Sequence, residues 1–80
     1  MFVYVLYSKT FDQIYIGQTN NIEARLMRHN SGLVKSIKPF LPWIIIHTNF
    51  FSTRSEAMRR EKELKSHKGR DFIRENFIPV

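Results

Sequence analysis

The sequence contains no cysteine, and its 80 residues include only three glycines and three prolines. The lack of cysteine excludes disulfide bonds, zinc sites built on thiolates and thiol nucleophiles. The scarcity of glycine and proline leaves no glycine-rich phosphate loop and no flexible linker. No apolar run approaches the ~20 residues of a membrane-spanning helix, and the N-terminus lacks a basic leader with a cleavage site. We therefore expect a cytoplasmic protein.

Acidic residues are also scarce, with 7 Asp and Glu against 13 Lys and Arg, which gives a formal net charge of +6. A basic balance of this size attracts polyanions, and nucleic acid is the commonest of these. Charge alone leaves open that the chain binds nothing specific. A membrane surface is disfavoured as partner, because the basic residues are spread among acids and do not line one amphipathic helix.

The strands are predicted from the apolar runs at residues 2–7, 14–17 and 43–50. The first run is continuously apolar and the third contains the apolar segment Ile44–Ile46, which predicts that both are covered on both faces. Gly17 is expected to end the second strand. Hydrophobic residues make up 42% of the chain, which is enough to fold one small domain and makes disorder improbable.

Three helices follow from capping and breaking signals. The first is predicted from a cap at Asn20 or Thr19 to Asn30, and the second from a cap at Ser52 or Thr53 to about His67, with Gly69 as its break. The third covers residues 70–78, with Phe72, Ile73 and Phe77 as packing residues. Three short strands cannot hide both faces of a sheet, so helices must cover them. The predicted fold is α+β, a small three-stranded antiparallel sheet flanked by helices in the order β-β-α-β-α-α.

Two tyrosines lie in the middle of the first two strands. A hairpin turn near residues 9–10 places Tyr4 roughly opposite Tyr15, on the same face of the sheet. Tyrosines in strands are also ordinary packing residues with one satisfied hydroxyl. The pair is therefore a candidate site that needs support from other residues.

The first helix carries an arginine and a histidine beside its core face, which Ile22 and Leu26 mark. Arg25 and His29 lie four residues apart and form a ridge along the border of the apolar stripe. The planar guanidinium matches phosphate oxygens, so this ridge is a candidate phosphate site. The alternative is an arginine that lays its stem over the core and leaves its head in solvent.

The second helix places one glutamate on its apolar face. Ala57, Glu61 and Leu64 share that face by helical spacing, whereas the other glutamates of this helix do not. A carboxylate facing the core is costly unless it is paired or binds a cation. Three explanations stay open: a salt bridge to Arg25, a hydrogen bond to a buried tyrosine hydroxyl, or a metal ligand.

The order and spacing of these residues resemble the GIY-YIG nuclease superfamily, and within it the small single-domain bacterial proteins. "FVY", residues 2–4, represents the first half of the motif and "YIG", residues 15–17, the second. Arg25 follows the second tyrosine by ten residues and His29 follows it by fourteen. The segments "PWIIIHTNF" and "RSEAMRREKELK" are also similar to this subgroup, so the resemblance covers residues 2–68.

The resemblance implies one GIY-YIG-like catalytic domain over residues 1–80, which hydrolyses phosphodiester bonds of nucleic acid with one divalent ion, Mg²⁺ or Mn²⁺. Our hypothesis for the mechanism is that Arg25 and the metal lower the pKa of Tyr4 or Tyr15, so that this tyrosine helps to remove the proton of the attacking water. The implied site consists of two active-site tyrosines, a phosphate-binding arginine, an auxiliary histidine and a metal-binding glutamate: Tyr4, Tyr15, Arg25, His29 and Glu61.

The chain departs from the family pattern at two places. Phe2 stands where the first half of the family name has glycine. Many active members also carry a C-terminal asparagine near the site, and Asn76 matches it by residue type alone.

The partner implied is nucleic acid, DNA rather than RNA, with a homodimer or a targeting protein as a further partner. Five basic residues are candidates for contacts to the nucleic-acid backbone: Lys35, Lys38, Arg59, Lys65 and Lys68. Two other functions stay open. One is a nucleic-acid-binding module that keeps the fold without catalysis. The other is a protein-interaction domain that uses exposed aromatic residues, namely Phe40, Trp43, Phe50 and Phe51.

Overall fold

Three strands, β1 (Phe2–Ser8), β2 (Gln13–Thr19) and β3 (Ile44–Phe50), form one antiparallel sheet in the order β2-β1-β3 in a computed structural model, which describes residues 1–78. The element order and the α+β class agree with the sequence prediction. Among the described residues, every helix is too short or too polar to cross a membrane. The elements are β1 (Phe2–Ser8), β2 (Gln13–Thr19), α1 (Ile22–Asn30), a short 3-10 helix (Lys38–Phe40), β3 (Ile44–Phe50), α2 (Arg54–Lys65) and α3 (His67–Asn76).

The two faces of β1 carry two separate cores, because side chains alternate along a strand. On one face, Val3 and Val5 pack with α2 and α3. On the other face, Tyr4 and Leu6 pack with Trp43, α1 and the connection that follows it. The central strand is therefore covered on both faces, as its continuous apolar sequence predicts.

The hairpin register differs from the prediction by two residues. Tyr4 pairs with Gly17, and Tyr15 pairs with Leu6. The predicted position of Tyr15 directly opposite Tyr4 is therefore wrong, although both rings lie on the same face. The reason is that Gly17 lies inside β2 rather than at its end, and the connection between the strands spans residues 9–12.

The third strand is an edge strand, and the prediction that both faces of Ile44–Ile46 are covered is confirmed only in part, because Ile45 and Ile46 are half-buried, one on each core. Ile44 is 52% exposed and Phe50 is 66% exposed, whereas Trp43, just before the strand, is buried. Phe40 and Phe51 are half-buried. Of the four aromatic residues considered for a protein-interaction surface, all except Phe50 are thus buried or half-buried. Periodicity does not reveal which of two apolar strands occupies the centre of a sheet.

Capping side chains set the start of the first two helices. Asn21 caps α1 and accepts a hydrogen bond from the Ala24 backbone N–H, so the predicted caps Asn20 and Thr19 are wrong. Thr53 caps α2 by accepting from the Glu56 N–H, as the capping box predicts.

The boundary between the last two helices lies at Ser66 rather than at Gly69. Ser66 ends α2 and caps α3 by accepting from the Gly69 N–H. A β-carbon at Gly69 would overlap the Glu63 carbonyl and the Leu64 backbone. This glycine therefore permits the close approach of α3 to α2, and the prediction that it breaks a helix is wrong.

The third helix starts earlier and ends earlier than predicted, at His67 and Asn76. Of its predicted packing residues, Ile73 is fully buried and Phe77 is half-buried, but Phe72 is 42% exposed. The Phe72 ring instead contacts the guanidinium of Arg60, whose Cζ lies 5.9 Å from the ring centroid.

Candidate active site

The centre of the candidate site is a hydrogen bond between β1 and α1. The Tyr4 hydroxyl lies 3.0 Å from Nε2 of His29, and the two residues are only 3% and 2% exposed. The Tyr15 ring lies 4.6 Å from the His29 ring and 6.2 Å from the Tyr4 ring, between ring centroids. Three residues distant in sequence thus form one aromatic cluster.

The Tyr4 side chain reaches this position by crossing over Gly17 on the neighbouring strand. A β-carbon at Gly17 would lie 2.5 Å from the Tyr4 hydroxyl oxygen and 2.8 Å from its Cζ. Real β-carbons essentially never approach other atoms so closely. The glycine of the "YIG" motif therefore makes room for the phenol of the "FVY" motif.

Burial raises the pKa of Tyr4 well above its ordinary value, and nearby Tyr15 and Glu61 raise it further. The positive charge of Arg25 acts in the opposite direction but does not compensate. Arg25 alone therefore does not lower the pKa of Tyr4, because desolvation of the phenolate outweighs the arginine, and the lowering expected from the arginine and a metal together stays a prediction. Tyr4 is a neutral phenol, and the charges of both Arg25 and Glu61 act on its hydroxyl.

His29 is neutral for a related reason. Burial lowers its pKa, and the positive charges of Arg25 and Arg28 lower it further. Its Nδ1 is buried and has no hydrogen-bond partner among residues 1–78. The neutral imidazole therefore presents Nε2 to Tyr4 and holds no second polar contact.

Glu61 lies on the same face of α2 as the buried Ala57 and Leu64, and its side chain is 19% exposed. Its Oε2 accepts a hydrogen bond from Lys65 Nζ at 2.8 Å. Of the pairings considered from sequence, neither Arg25 nor a tyrosine hydroxyl is its hydrogen-bond partner. Residues 1–78 contain no group of three or more acidic or histidine side chains able to hold a metal.

The five lysines and arginines predicted to contact nucleic acid are all exposed. Lys35 and Lys38 belong to the connection that packs on the α1 side of the sheet, whereas the other three lie on α2 and α3. They therefore come from segments that pack on opposite faces of the sheet. Asn76 donates from Nδ2 to the Phe72 carbonyl of its own helix.

Sequence reasoning missed the residue that fixes the C-terminal end of α1. Asn30 donates from Nδ2 to the Trp43 carbonyl at 3.0 Å, and its Oδ1 accepts from the Trp43 N–H at 2.8 Å. This paired contact holds the turn that carries His29 against the start of β3. An asparagine in the last helical turn gives no sequence signal of such a contact, because its partner lies 13 residues further along the chain and meets it only after folding.

Comparison with known proteins gives a family match over nearly the whole chain. The model of the GIY-YIG catalytic domain matches residues 1–76. A UPF0213 protein of Staphylococcus haemolyticus is 41% identical, over 81% of this chain and 79% of its own. A UPF0213 protein of Natronomonas pharaonis is 39% identical, over 81% and 76%. A UPF0213 protein of Clostridium perfringens is 35% identical, over 80% and 69%.

No solved structure matches the chain. The family model covers nearly all of the described residues, including both tyrosines, the Arg25–His29 ridge and Glu61. Members of this family are nucleases that act on nucleic acid and generally use a divalent metal. The chain therefore belongs to the GIY-YIG family.

Proposed function

We propose that the protein is a metal-dependent endonuclease that hydrolyses phosphodiester bonds of nucleic acid at the Tyr4–His29 cluster. The observation that carries this proposal is the buried hydrogen bond between Tyr4 and His29. The charges of Arg25 and Glu61 both act on the Tyr4 hydroxyl of this pair. The Tyr4 hydroxyl is therefore influenced by a basic group suited to phosphate, Arg25, and by a carboxylate suited to a cation, Glu61. It also belongs to a hydrogen-bonded pair suited to proton transfer. Tyr15 packs against both rings of the pair.

Arg25 is the group that binds the scissile phosphate. Its side chain is exposed, and no carboxylate of residues 1–78 lies within 4.0 Å of it. The guanidinium is therefore free to donate two parallel hydrogen bonds to phosphate oxygens. These bonds strengthen as negative charge grows on the oxygens in the transition state, which lowers the barrier.

The Tyr4–His29 pair moves the proton of the attacking water. Because the pKa of Tyr4 is raised, a standing phenolate is scarce at neutral pH. The water gives its proton to the Tyr4 oxygen while the Tyr4 proton passes to Nε2 of His29, which is neutral and 3.0 Å away. The resulting imidazolium is stabilised by the negative charge that forms on the phosphate.

Glu61 is the residue that would hold Mg²⁺ or Mn²⁺, one ion at the site. Its carboxylate is mostly shielded from solvent, and Oε1 is not used by the hydrogen bond from Lys65. Magnesium is usually bound by one or two carboxylates, with waters and substrate oxygens as the remaining ligands, so a lone glutamate fits this ion. When bound, such an ion supplies stabilisation of the leaving oxygen.

The substrate is DNA rather than RNA in this proposal, and the exposed lysines and arginines contact its backbone. Such contacts carry no sequence information and weaken with salt. A homodimer or a targeting protein, and a cytoplasmic location, stay predictions.

Nicking of supercoiled plasmid in Mg²⁺ tests the proposal. We expect the wild type to nick, and Glu61→Gln and Arg25→Ala to lose roughly a hundredfold or more of the rate, because each removes stabilisation of transition-state charge. Glu63→Gln is the matched control, since Glu63 lies on the same helix with an exposed carboxylate. Equal nicking by wild type and both site variants would show that the activity comes from elsewhere.

The second candidate is a nucleic-acid-binding module without catalysis. The observation that favours it is the ion pair between Lys65 and Glu61, which occupies the only acidic group assigned to metal. Binding of DNA that needs no Mg²⁺ and is unchanged in Glu61→Gln, without cleavage of any DNA or RNA, would select this candidate.

A further inference from the structure

A concave surface of about 310 Å³ lies beside the candidate site, at the junction of β2 and α1. We call it the Arg28 cleft. It is open to solvent and shares Arg25 with the site. Its lining consists of Thr19, Asn20, Asn21, Ala24, Arg25 and Arg28.

The back wall of the Arg28 cleft is held by hydrogen bonds within the chain. The Thr19 hydroxyl accepts from the Asn21 N–H at 3.1 Å and lies 3.2 Å from the Asn21 carbonyl, to which it donates. The Asn21 side chain accepts from the Ala24 N–H at 3.0 Å. Because these hydroxyl and amide groups already have hydrogen-bond partners, they shape the cleft. The charged groups that remain to bind a ligand are the guanidiniums of Arg25 and Arg28.

Arg25 and Arg28 are neighbours on one side of α1, three residues apart, where side chains start about 5–6 Å from each other. Both are exposed, and neither has a carboxylate within 4.0 Å among residues 1–78. Two positive charges at this spacing repel each other, and an anion between them or along them relieves that repulsion. The cleft therefore suits a ligand with consecutive negative charges.

We propose that Arg28 binds the phosphate next to the scissile one, so that one nucleic-acid strand runs from Arg25 along the Arg28 cleft. This inference rests on the proposed function, which places the scissile phosphate on Arg25. Arg28 is a substrate-binding residue in this arrangement, and it fixes where along a strand the bond at Tyr4 is cut. The positive charge of Arg28 also acts on the candidate site, because it lowers the pKa of His29.

Binding without catalysis gives the first test. Affinity for a short DNA duplex of mixed sequence is measured by fluorescence anisotropy in EDTA over a series of salt concentrations. For Arg28→Gln we expect a Kd about fivefold higher at low salt, and a slope of log Kd against log salt that is smaller by about 0.9. Arg70→Gln is the matched control, an exposed arginine on α3 outside the cleft, and its slope should change less.

Cleavage gives the second test, through an uncharged methylphosphonate placed at the phosphate adjoining the mapped cut. We expect this substitution to raise KM about fivefold for the wild type, with kcat little changed, because one charged contact is lost. In Arg28→Gln the same substitution should raise KM no further, because the arginine it would have contacted is gone. Arg70→Gln should respond like the wild type.

The outcomes separate the two proposals. If Arg28→Gln matches Arg70→Gln in both the salt slope and KM, the role proposed for Arg28 is wrong. Nicking by the wild type would still support the nuclease in that case. A wild type that binds DNA but never cleaves overturns the nuclease, and the salt slope then decides whether Arg28 contacts a phosphate. Absence of binding to DNA and RNA at low salt overturns the proposal for Arg28.

Discussion

The hydroxyl of Tyr4 lies over Gly17 of the adjacent strand, where a β-carbon would come within 2.5 Å of the oxygen. The two residues are paired in the sheet, so the missing side chain of one is the space through which the other reaches His29. A motif that appears in sequence as two separate strand segments is therefore one packing unit. The hydrogen bond to His29 depends on the side chain that Gly17 lacks as much as on the phenol of Tyr4.

Gly17→Ala should displace the Tyr4 ring and break its hydrogen bond to His29. We expect a loss of about 1–3 kcal/mol in the free energy of unfolding, which is typical of overpacking a buried site. Urea denaturation measures it. The cost should be smaller in a Tyr4→Leu background, where the colliding atoms are gone, and an equal cost in both backgrounds would locate the strain elsewhere.

His29→Ala should destabilise the fold by about 1–3 kcal/mol, because it leaves the buried Tyr4 hydroxyl without its hydrogen-bond partner. In a double-mutant cycle with Tyr4→Phe, the two losses should be non-additive by about 0.5–1.5 kcal/mol. Chemical denaturation of the four proteins at pH 7–8, where the histidine is neutral, gives this coupling. Fully additive losses would mean that the hydrogen bond contributes nothing.

The lowered pKa of His29 should make the fold less stable in mild acid. The unfolded chain takes up a proton near the ordinary value of 6.5, whereas the folded chain resists it. The unfolded state therefore binds more protons between the folded pKa and 6.5, so this contribution to stability is complete above 6.5 and declines as pH falls through that window.

The measurement is the difference in free energy of unfolding between wild type and His29→Gln from about pH 8 to about pH 5. The decline should be steeper for the wild type. His67→Gln serves as control, because His67 is 95% exposed, and it should follow the wild type. A wild-type curve parallel to that of His29→Gln would contradict the expectation.

Asp12 should tie α3 to the first hairpin in a pH-dependent way. Arg74 and Tyr7 both donate to its Oδ1, at 2.8 and 2.9 Å, and these hydrogen bonds hold the pKa of Asp12 below its usual 3.8. Its contribution to stability is complete above 3.8 and is lost as pH falls through the lowered folded value.

Asp12→Asn should therefore lower Tm slightly at neutral pH and match the wild type once Asp12 is protonated. Asparagine suits the left-handed backbone at this position, φ 52°, so the substitution removes charge without backbone strain. Thermal unfolding followed by circular dichroism gives Tm at each pH. Asp71→Asn, an exposed acid on α3, controls for net charge, and an equal drop in both variants would remove the role of the Asp12 contact.

Lys65 should compete with a cation for Glu61. In Lys65→Gln the carboxylate loses its 2.8 Å ion pair, so we expect Mn²⁺ to bind several-fold more tightly, as measured by electron paramagnetic resonance of free Mn²⁺. Arg60→Gln is the matched control, because it releases Glu63 instead of Glu61 on the same helix. Equal Mn²⁺ affinity in both variants would argue against Glu61 as the metal ligand.

The sequence by itself determined the element order and the α+β class, and it proposed the residues of the candidate site. Apolar runs and capping residues act locally, so they locate strands and helices to within a few residues. Helical spacing was also sufficient to place Glu61 on the buried face of α2, because the faces of a helix follow from its period alone.

Only the tertiary structure decided the register of Tyr4 on Gly17, the exposure of β3, the protonation of Tyr4 and the Arg28 cleft. Each of these depends on which segments meet, and burial and charge at a meeting point are sums over residues distant in the chain. That is why the sequence shows the nearby Arg25 but not the raised pKa of Tyr4: the desolvation that neighbouring elements impose is invisible until they pack.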